Sequence, residues 1–256
     1  MKKRKLRVPT RAITIILLIL IACAVFIGYL WKSLNTSDFF KIKDIIIKNN
    51  DTVDLSYLKG KNIFNLDLEQ ESENISGAYP DYRRINLVRI LPNRLFVDFI
   101  KRKALALVKL YRYFALDEDG VLFYGEAEPQ ELELPIILGL ETKIFGPRPG
   151  KVYKIPELTL VLNIIKEFKR SQGLKNYKIK RIDVTNPSGT SIFIPCVLDE
   201  GDRMQFENLE VKVGQDNIKD KIIILEGLIT QERSNLSSIK YIDLRFREPV
   251  IKFKDK

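Results

Sequence analysis

The sequence predicts an α+β protein with three parts. These are an N-terminal transmembrane helix, a β-α-α-β-β domain, and a mixed β-sheet domain with two flanking helices. Three observations carry the prediction. An uncharged run of 20 residues follows a basic N-terminus. Residues 40–107 switch between strand-type and helix-type periodicity. From residue 110 onward, short β-branched runs punctuated by turns enclose two stretches of helical period.

The first 11 residues hold Lys2, Lys3, Arg4, Lys5, Arg7 and Arg11 and no acid. Ala12 to Trp31 then runs without a charge, and at 1.5 Å per residue it spans about 30 Å, the thickness of a bilayer's hydrocarbon core. Tyr29 and Trp31 stand at its far end, where amphipathic rings favour the interface. Residues 1–11 therefore read as a cytoplasmic tail and 12–31 as a single transmembrane helix, with the C-terminal bulk outside the cytoplasm. Two other readings fit the same residues: a cleaved signal peptide ending at Ala22-Cys23-Ala24, and a lipoprotein signal through Leu20-Ile21-Ala22-Cys23. Either would leave the apolar Val25–Trp31 at a mature N-terminus, which favours the uncleaved anchor.

The net charge of +10 belongs mostly to that tail. Without its six positives, the 43 basic residues fall to 37 against 33 acidic ones. Such a balance describes a solvated surface and excludes a nucleic-acid footprint. The chain has no histidine and two cysteines. Ser-His-Asp and Cys-His catalysis and most zinc sites are thereby removed, and Cys23 lies in the apolar run, so stability rests on packing. No P-loop, GxGxxG or CxxC is present.

Residues 32–38 read as a polar linker and 39–108 as the first domain. Phe40 to Ile47 is a strand ending at the turn cluster Asn49-Asn50-Asp51. Thr52 to Lys59 is a short helix with Leu55 and Leu58 inward and Gly60 as its stop. Asp67 caps a second helix, Gln70 completing a capping-box pair, with Leu68, Ser72, Ile75 and Tyr79 on one face and Pro80 ending it. Ile85–Ile90, the turn Leu91–Arg94 and a return strand Leu95–Leu107 form a hairpin over these helices.

Residues 109–256 form the second domain. Arg112–Leu116 and Val121–Tyr124 flank the turn Asp117–Gly120. Pro156–Ser171 is an amphipathic helix with Leu158, Val161, Ile165 and Phe168 inward. Strands at 177–184, 190–197 and 209–213 precede a helix over 216–231 carrying Ile218, Ile222, Leu225 and Ile229. Strands Lys240–Phe246 and Val250–Phe253 close the chain. Ser188-Gly189-Thr190-Ser191 is the one cluster that fits a Ser/Lys peptidase, and after Asn186-Pro187 it also reads as a hairpin loop. Asp117, Glu118 and Asp119 fit a turn better than paired carboxylates or a calcium site. The aromatics Tyr111, Tyr113, Phe114, Phe123 and Tyr124 fit either a glycan platform or cross-strand packing.

The first domain resembles a POTRA domain of the FtsQ/DivIB type. Phe40, Ile42, Ile45, Ile47 and Asn50 meet the family's F-x-V-x-x-I-x-V-x-G-N, with Asn49 in place of its glycine, a residue that tolerates positive φ. Leu58, Gly60, Asn62, Ile63, Phe64 and Leu66 match L-x-G-x-N-I-F-x-L. Pro80, Leu87, Arg89, Pro92, Leu95, Val97, Phe99, Arg102 and Ala106 follow the next signature, which this chain leaves at Lys101 and Ala104. In the second domain Leu116-Asp117, Gly120-Val121 and Phe123, then Leu134-Pro135 and Gly139, then Val211–Gly214 and Tyr241–Phe246 resemble the family's remaining motifs.

The resemblance implies a bacterial division scaffold in the cytoplasmic (inner) membrane at the division site. It also implies FtsB/DivIC-like and FtsL-like membrane partners, a link through them to septal peptidoglycan synthesis, and no enzymatic role, cofactor, metal or small-molecule substrate. It places partner binding on an exposed terminal strand, here Phe246, Val250, Ile251, Lys252 and Phe253. A hydrophobic strand packed in the domain core fits those residues too. A POTRA-bearing secretion or assembly factor remains the competing non-enzymatic reading.

Overall fold

The structure, a computed structural model, describes residues 10–50, 52–125, 133–200, 203–232 and 235–254. The basic residues Lys2 to Arg7, and Asp51 of the expected turn cluster, lie outside the described residues. The chain forms two compact units. One comprises the residues up to Ala78 with Arg84–Ile100, the other Tyr79–Arg83 with Lys101 onward.

The first unit opens with α1, Thr10–Thr36. Among the described residues, its stretch Thr14–Thr36 is the one helical segment long and apolar enough to cross a membrane. It continues through most of the expected linker, because Lys32–Thr36 contains neither Gly nor Pro and the last carbonyls find donors. Asn62 Nδ2 donates to the carbonyls of Leu34 and Asn35, both at 2.9 Å, and Ser37 N to that of Ser33 at 3.0 Å. Ser37 then caps a 3₁₀ turn over Asp38–Phe40.

The strand expected from Phe40 starts later, as β1, Asp44–Lys48. Residues 40–42 instead exchange backbone hydrogen bonds with 60–63, including Ile42 N to Lys61 O and Ile63 N to Phe40 O. Asn49 takes φ +65° and ends the strand. The expected helix over 52–59 is a single 3₁₀ turn, Ser56–Leu58. Leu55 and Leu58 do point inward, but Asp54 Oδ1 accepts from Ser56 N and Gly60 turns the chain at φ +82°.

Helix α2, Leu68–Ala78, is capped by Asp67 Oδ1, which accepts from the amides of Glu69 and Gln70. Strands β2, Tyr82–Ile90, and β3, Arg94–Lys101, complete a sheet of order β1-β3-β2, with β1 parallel to β3. Ile85, Leu95, Val97 and Phe99 are buried, as are Leu58, Ile63 and Ile75. Arg89 secures the loop between, donating from Nε to Ile63 O and from Nη2 to Leu66 O.

The second unit begins with β4, Ala106–Lys109, β5, Tyr113–Leu116, and β6, Leu122–Phe123. The expected return strand Leu95–Leu107 is thus two strands in two sheets. It breaks because Arg102 is claimed from elsewhere: its Nη1 donates to Asp117 Oδ2 at 2.5 Å, its Nε to Pro80 O, and its amide to Asp81 O. Strand β7, Ile136–Leu138, precedes helix α3, Pro156–Arg170. Strands β8, Arg181–Asp183, β9, Ser191–Glu200, and β10, Arg203–Lys212, precede helix α4, Ile218–Gln231. Strands β11, Ile239–Asp243, and β12, Val250–Phe253, follow.

Among the described residues the nine strands order as β12-β11-β10-β9-β8-β7-β4-β5-β6. The pairs β7·β8 and β10·β11 are parallel, and α3 and α4 are their crossovers. Both helices bury their apolar stripes in one core against Val108, Ile137, Ile182, Ile192, Val211 and Ile242.

The acidic turn resolves as structure. Asp117 is buried and its Oδ1 accepts from the amides of Asp119 and Val121, while Glu118 and Asp119 pair with Arg83. Of the aromatic run, Phe114 and Phe123 are buried. Tyr111, Tyr113 and Tyr124 stay exposed, with the Arg112 guanidinium 4.2 Å from the Tyr124 ring.

Candidate functional site at the terminal edge of the large sheet

Among the described residues strand β12 has β11 as its single neighbour in the sheet order, so its outer side ends the sheet. The strand begins directly after Pro249, and Val250-Ile251-Lys252-Phe253 suits a pleated surface. The pairing is antiparallel, matching Asp243 with Val250, Ile242 with Ile251, Tyr241 with Lys252 and Ile239 with Phe253. Lys240 is therefore an extra residue on β11, a bulge.

The five predicted residues do not share one environment. Phe246, Val250 and Phe253 are 63%, 45% and 50% exposed, and Lys252 is exposed with them. Ile251 is half-buried and packs against the large core. It continues the inward row of Val211 and Ile242 and is an anchor of the strand, not part of its open face. Phe246 lies outside any strand, since β11 stops at Asp243 and not at Phe246 as expected. Asp243 stops it by turning the chain: its Oδ1 accepts from the Arg245 amide at 3.1 Å, and its two oxygens accept from Arg245 Nε at 2.9 Å and Nη2 at 2.6 Å.

That ion pair sets the local electrostatics. Hydrogen bonds from the Arg245 side chain hold the Asp243 carboxyl below the usual carboxylate range, and the same bonds push the Arg245 guanidinium up. The Arg245 Cζ also lies 5.8 Å from the Phe246 ring. On the sheet face opposite the helices, Tyr241 stands between Glu210 and Lys252 in register, with Lys212 Nζ 4.4 Å from its ring.

Sequence reasoning missed Lys212, Tyr241 and Arg245 as neighbours of the edge. The Asp-x-Arg spacing of Asp243 and Arg245 was a usable signal, whereas the Lys212–Tyr241 contact depends on a parallel pairing invisible in sequence. The Ser188 cluster is a 3₁₀ turn over Pro187–Gly189 leading into β9, and the Ser191 hydroxyl donates to Glu210 Oε1 at 2.9 Å.

An apolar helix of membrane-spanning length leading into two α+β units, the second with an exposed sheet edge, defines a protein of folded modules behind a candidate membrane anchor. A family model described as cell division protein FtsQ/DivIB, C-terminal, matches residues 106–245. The cell division protein FtsQ of Geotalea daltonii is 24% identical over 240 residues, covering 90% of this chain and 81% of that one. The FtsQ of Syntrophotalea carbinolica is 24% identical over 241 residues, covering 90% and 79%. That of Myxococcus fulvus is 30% identical over 92 residues, covering 36% and 32%. The chain belongs to the FtsQ/DivIB family, and its role lies in cell division.

Proposed function

We propose that this chain is a non-catalytic division scaffold whose second unit receives a strand of an FtsB/DivIC-like partner along the outer side of β12. The partner arrives with an FtsL-like protein, and through that pair the chain acts on septal peptidoglycan synthesis. We further infer that the first unit is a POTRA domain, that the chain crosses the inner membrane once, and that both units lie outside the cytoplasm.

The observation that carries the reading is the position of β12 at the end of a nine-stranded sheet. An open edge offers unpaired N–H and C=O groups, so an incoming strand gains main-chain hydrogen bonds while alternate side chains set specificity. Phe246, Val250 and Phe253 supply apolar contacts around that edge, and Lys252 keeps it soluble when empty.

The test measures binding of the full chain to its FtsB-like partner. Aromatic hot spots cost about 2 kcal/mol on truncation, roughly 30-fold in Kd. Phe253→Ala and Phe246→Ala should each weaken binding on that order while thermal melting stays unchanged, because both rings are largely in solvent. Ile251 is unsuited to this test, since its side chain belongs to the core. Partner affinity equal to the natural chain's in both variants would place the site elsewhere.

A further inference from the structure

The membrane end of the first unit carries a feature that the partner surface does not use. Among the described residues Phe39 and Phe64 are 60% and 38% exposed, and both rings pack edge-on against Phe40, at 5.2 and 5.1 Å. The loop bearing Phe64 is bonded to α1 itself, because Asn62 Nδ2 reaches the carbonyls of Leu34 and Asn35. Asn62 Oδ1 meanwhile accepts from the Phe64 amide at 2.9 Å. One side chain thus joins the helix end to the aromatic loop. Residues 40–42 and 60–63 are also zipped together by backbone bonds, so no free hinge separates the helix from the unit.

Helix geometry gives the depth of this loop. If Trp31 marks the outer boundary of the hydrocarbon core, Leu34 and Asn35 lie about 4.5 to 6 Å beyond it along the axis. The headgroup layer on each side of a bilayer is about 5 to 7 Å thick. The atoms that Asn62 grips therefore sit within that layer, and any helix tilt lowers them further. Exposed phenylalanines are unfavourable in water and favourable at the boundary between headgroups and acyl chains. Exposed Lys59 and Lys61 stand on the same loop, and exposed Lys32 lies on α1 one residue beyond Trp31, supplying cations for lipid phosphates.

We propose that Phe39, Phe64 and the loop carrying Asn62 form a lipid-resting surface that seats the first unit on the outer headgroup layer of the membrane crossed by α1, with Asn62 as the clamp that fixes its angle.

The test uses the full chain with Trp31→Phe, which removes its one tryptophan, and a reporter at Phe64→Trp or Phe39→Trp. The protein is reconstituted in phosphatidylcholine–phosphatidylglycerol vesicles whose acyl chains carry bromine near the headgroup. Both reporters should be quenched and should emit to the blue of exposed tryptophan. Adding Asn62→Ala removes the two hydrogen bonds to α1 together with the one from the Phe64 amide and should lower the ratio of seated to unseated molecules at least about tenfold, with quenching falling accordingly. Reporters that emit as in water and escape quenching, while the amides of Ile42 and Ile63 stay protected from hydrogen exchange, would overturn the proposal. Quenching unchanged by Asn62→Ala would overturn the clamp. In the unsubstituted chain a lipid-borne photoprobe should label residues 60–65, and an unlabelled segment there would also overturn the proposal.

Discussion

Arg102 and Asp117 bring opposite charges together where water is nearly absent. The Asp117 side chain is almost fully buried and that of Arg102 nearly so. Removing one partner of such a pair strands the other, a loss of about 3–5 kcal/mol. Asp117→Ala also deprives the amides of Asp119 and Val121 of their acceptor. We expect it to lower stability by that order in chemical denaturation, with Leu116→Ile, a volume-conserving neighbour change, far milder.

Asp243 makes a second residue-scale statement, about pH. Its carboxyl is held below the ordinary range in the folded chain, so its contribution is complete above the unfolded carboxylate pKa. That contribution is lost as pH falls through the lower, folded value. Asp243→Asn should therefore cost stability near neutral pH and progressively less on acidification, seen as a flatter dependence of melting temperature on pH below about 4. The motif around Asp243 was visible in sequence as Tyr-Ile-Asp-Leu-Arg; the partnership of Arg102 with Asp117, 15 residues apart, was not.

Elements were legible where one physical period dominated. Helices α3 and α4 were readable from Leu158, Val161, Ile165 and Phe168, and from Ile218, Ile222, Leu225 and Ile229, all of which are buried. The stretch 52–59 misled because a spacing of three between Leu55 and Leu58 fits a 3₁₀ turn as well as an α-helix. The return strand misled because Leu95, Val97 and Phe99 alternate smoothly up to an arginine whose partners lie elsewhere. Even so, Leu58 is fully buried, and the turn that carries it is an element of the first unit's core. Leu58→Asp would bury an unpaired charge at a cost of several kcal/mol, about the whole stability of a small domain. We expect loss of exchange protection across β1 and β3 together. Retained protection would mean that this turn is dispensable to the sheet. Strand neighbours were the least readable feature of all, since pairs such as β4 with β7 and β10 with β11 join segments separated by long connections.

At the scale of the whole chain, charge and apolar length together make a topological prediction. The basic residues before Ala12 and the uncharged run after it favour an N-terminus held in the cytoplasm. A reporter active only outside the cytoplasm, fused after Lys256, should be active, and activity of a cytoplasmic reporter at that point would reverse the orientation and remove the basis for a septal role outside the cytoplasm.

The extra residue Lys240 bears on how these molecules behave in a crowd. A bulge tightens the twist of the ladder beside it, so β12 is expected to twist against β11 more than a regular pair would. Two such edges meeting head-on are poorly matched over any length, and stacking into fibrils meets a geometric penalty at the first step. An unattached, flexible segment can follow the twist as it lands. Deleting Lys240 should straighten the ladder, and light scattering should then reveal association that grows with concentration. The irregularity that leaves one lysine unpaired would in that case act as the chain's protection against itself.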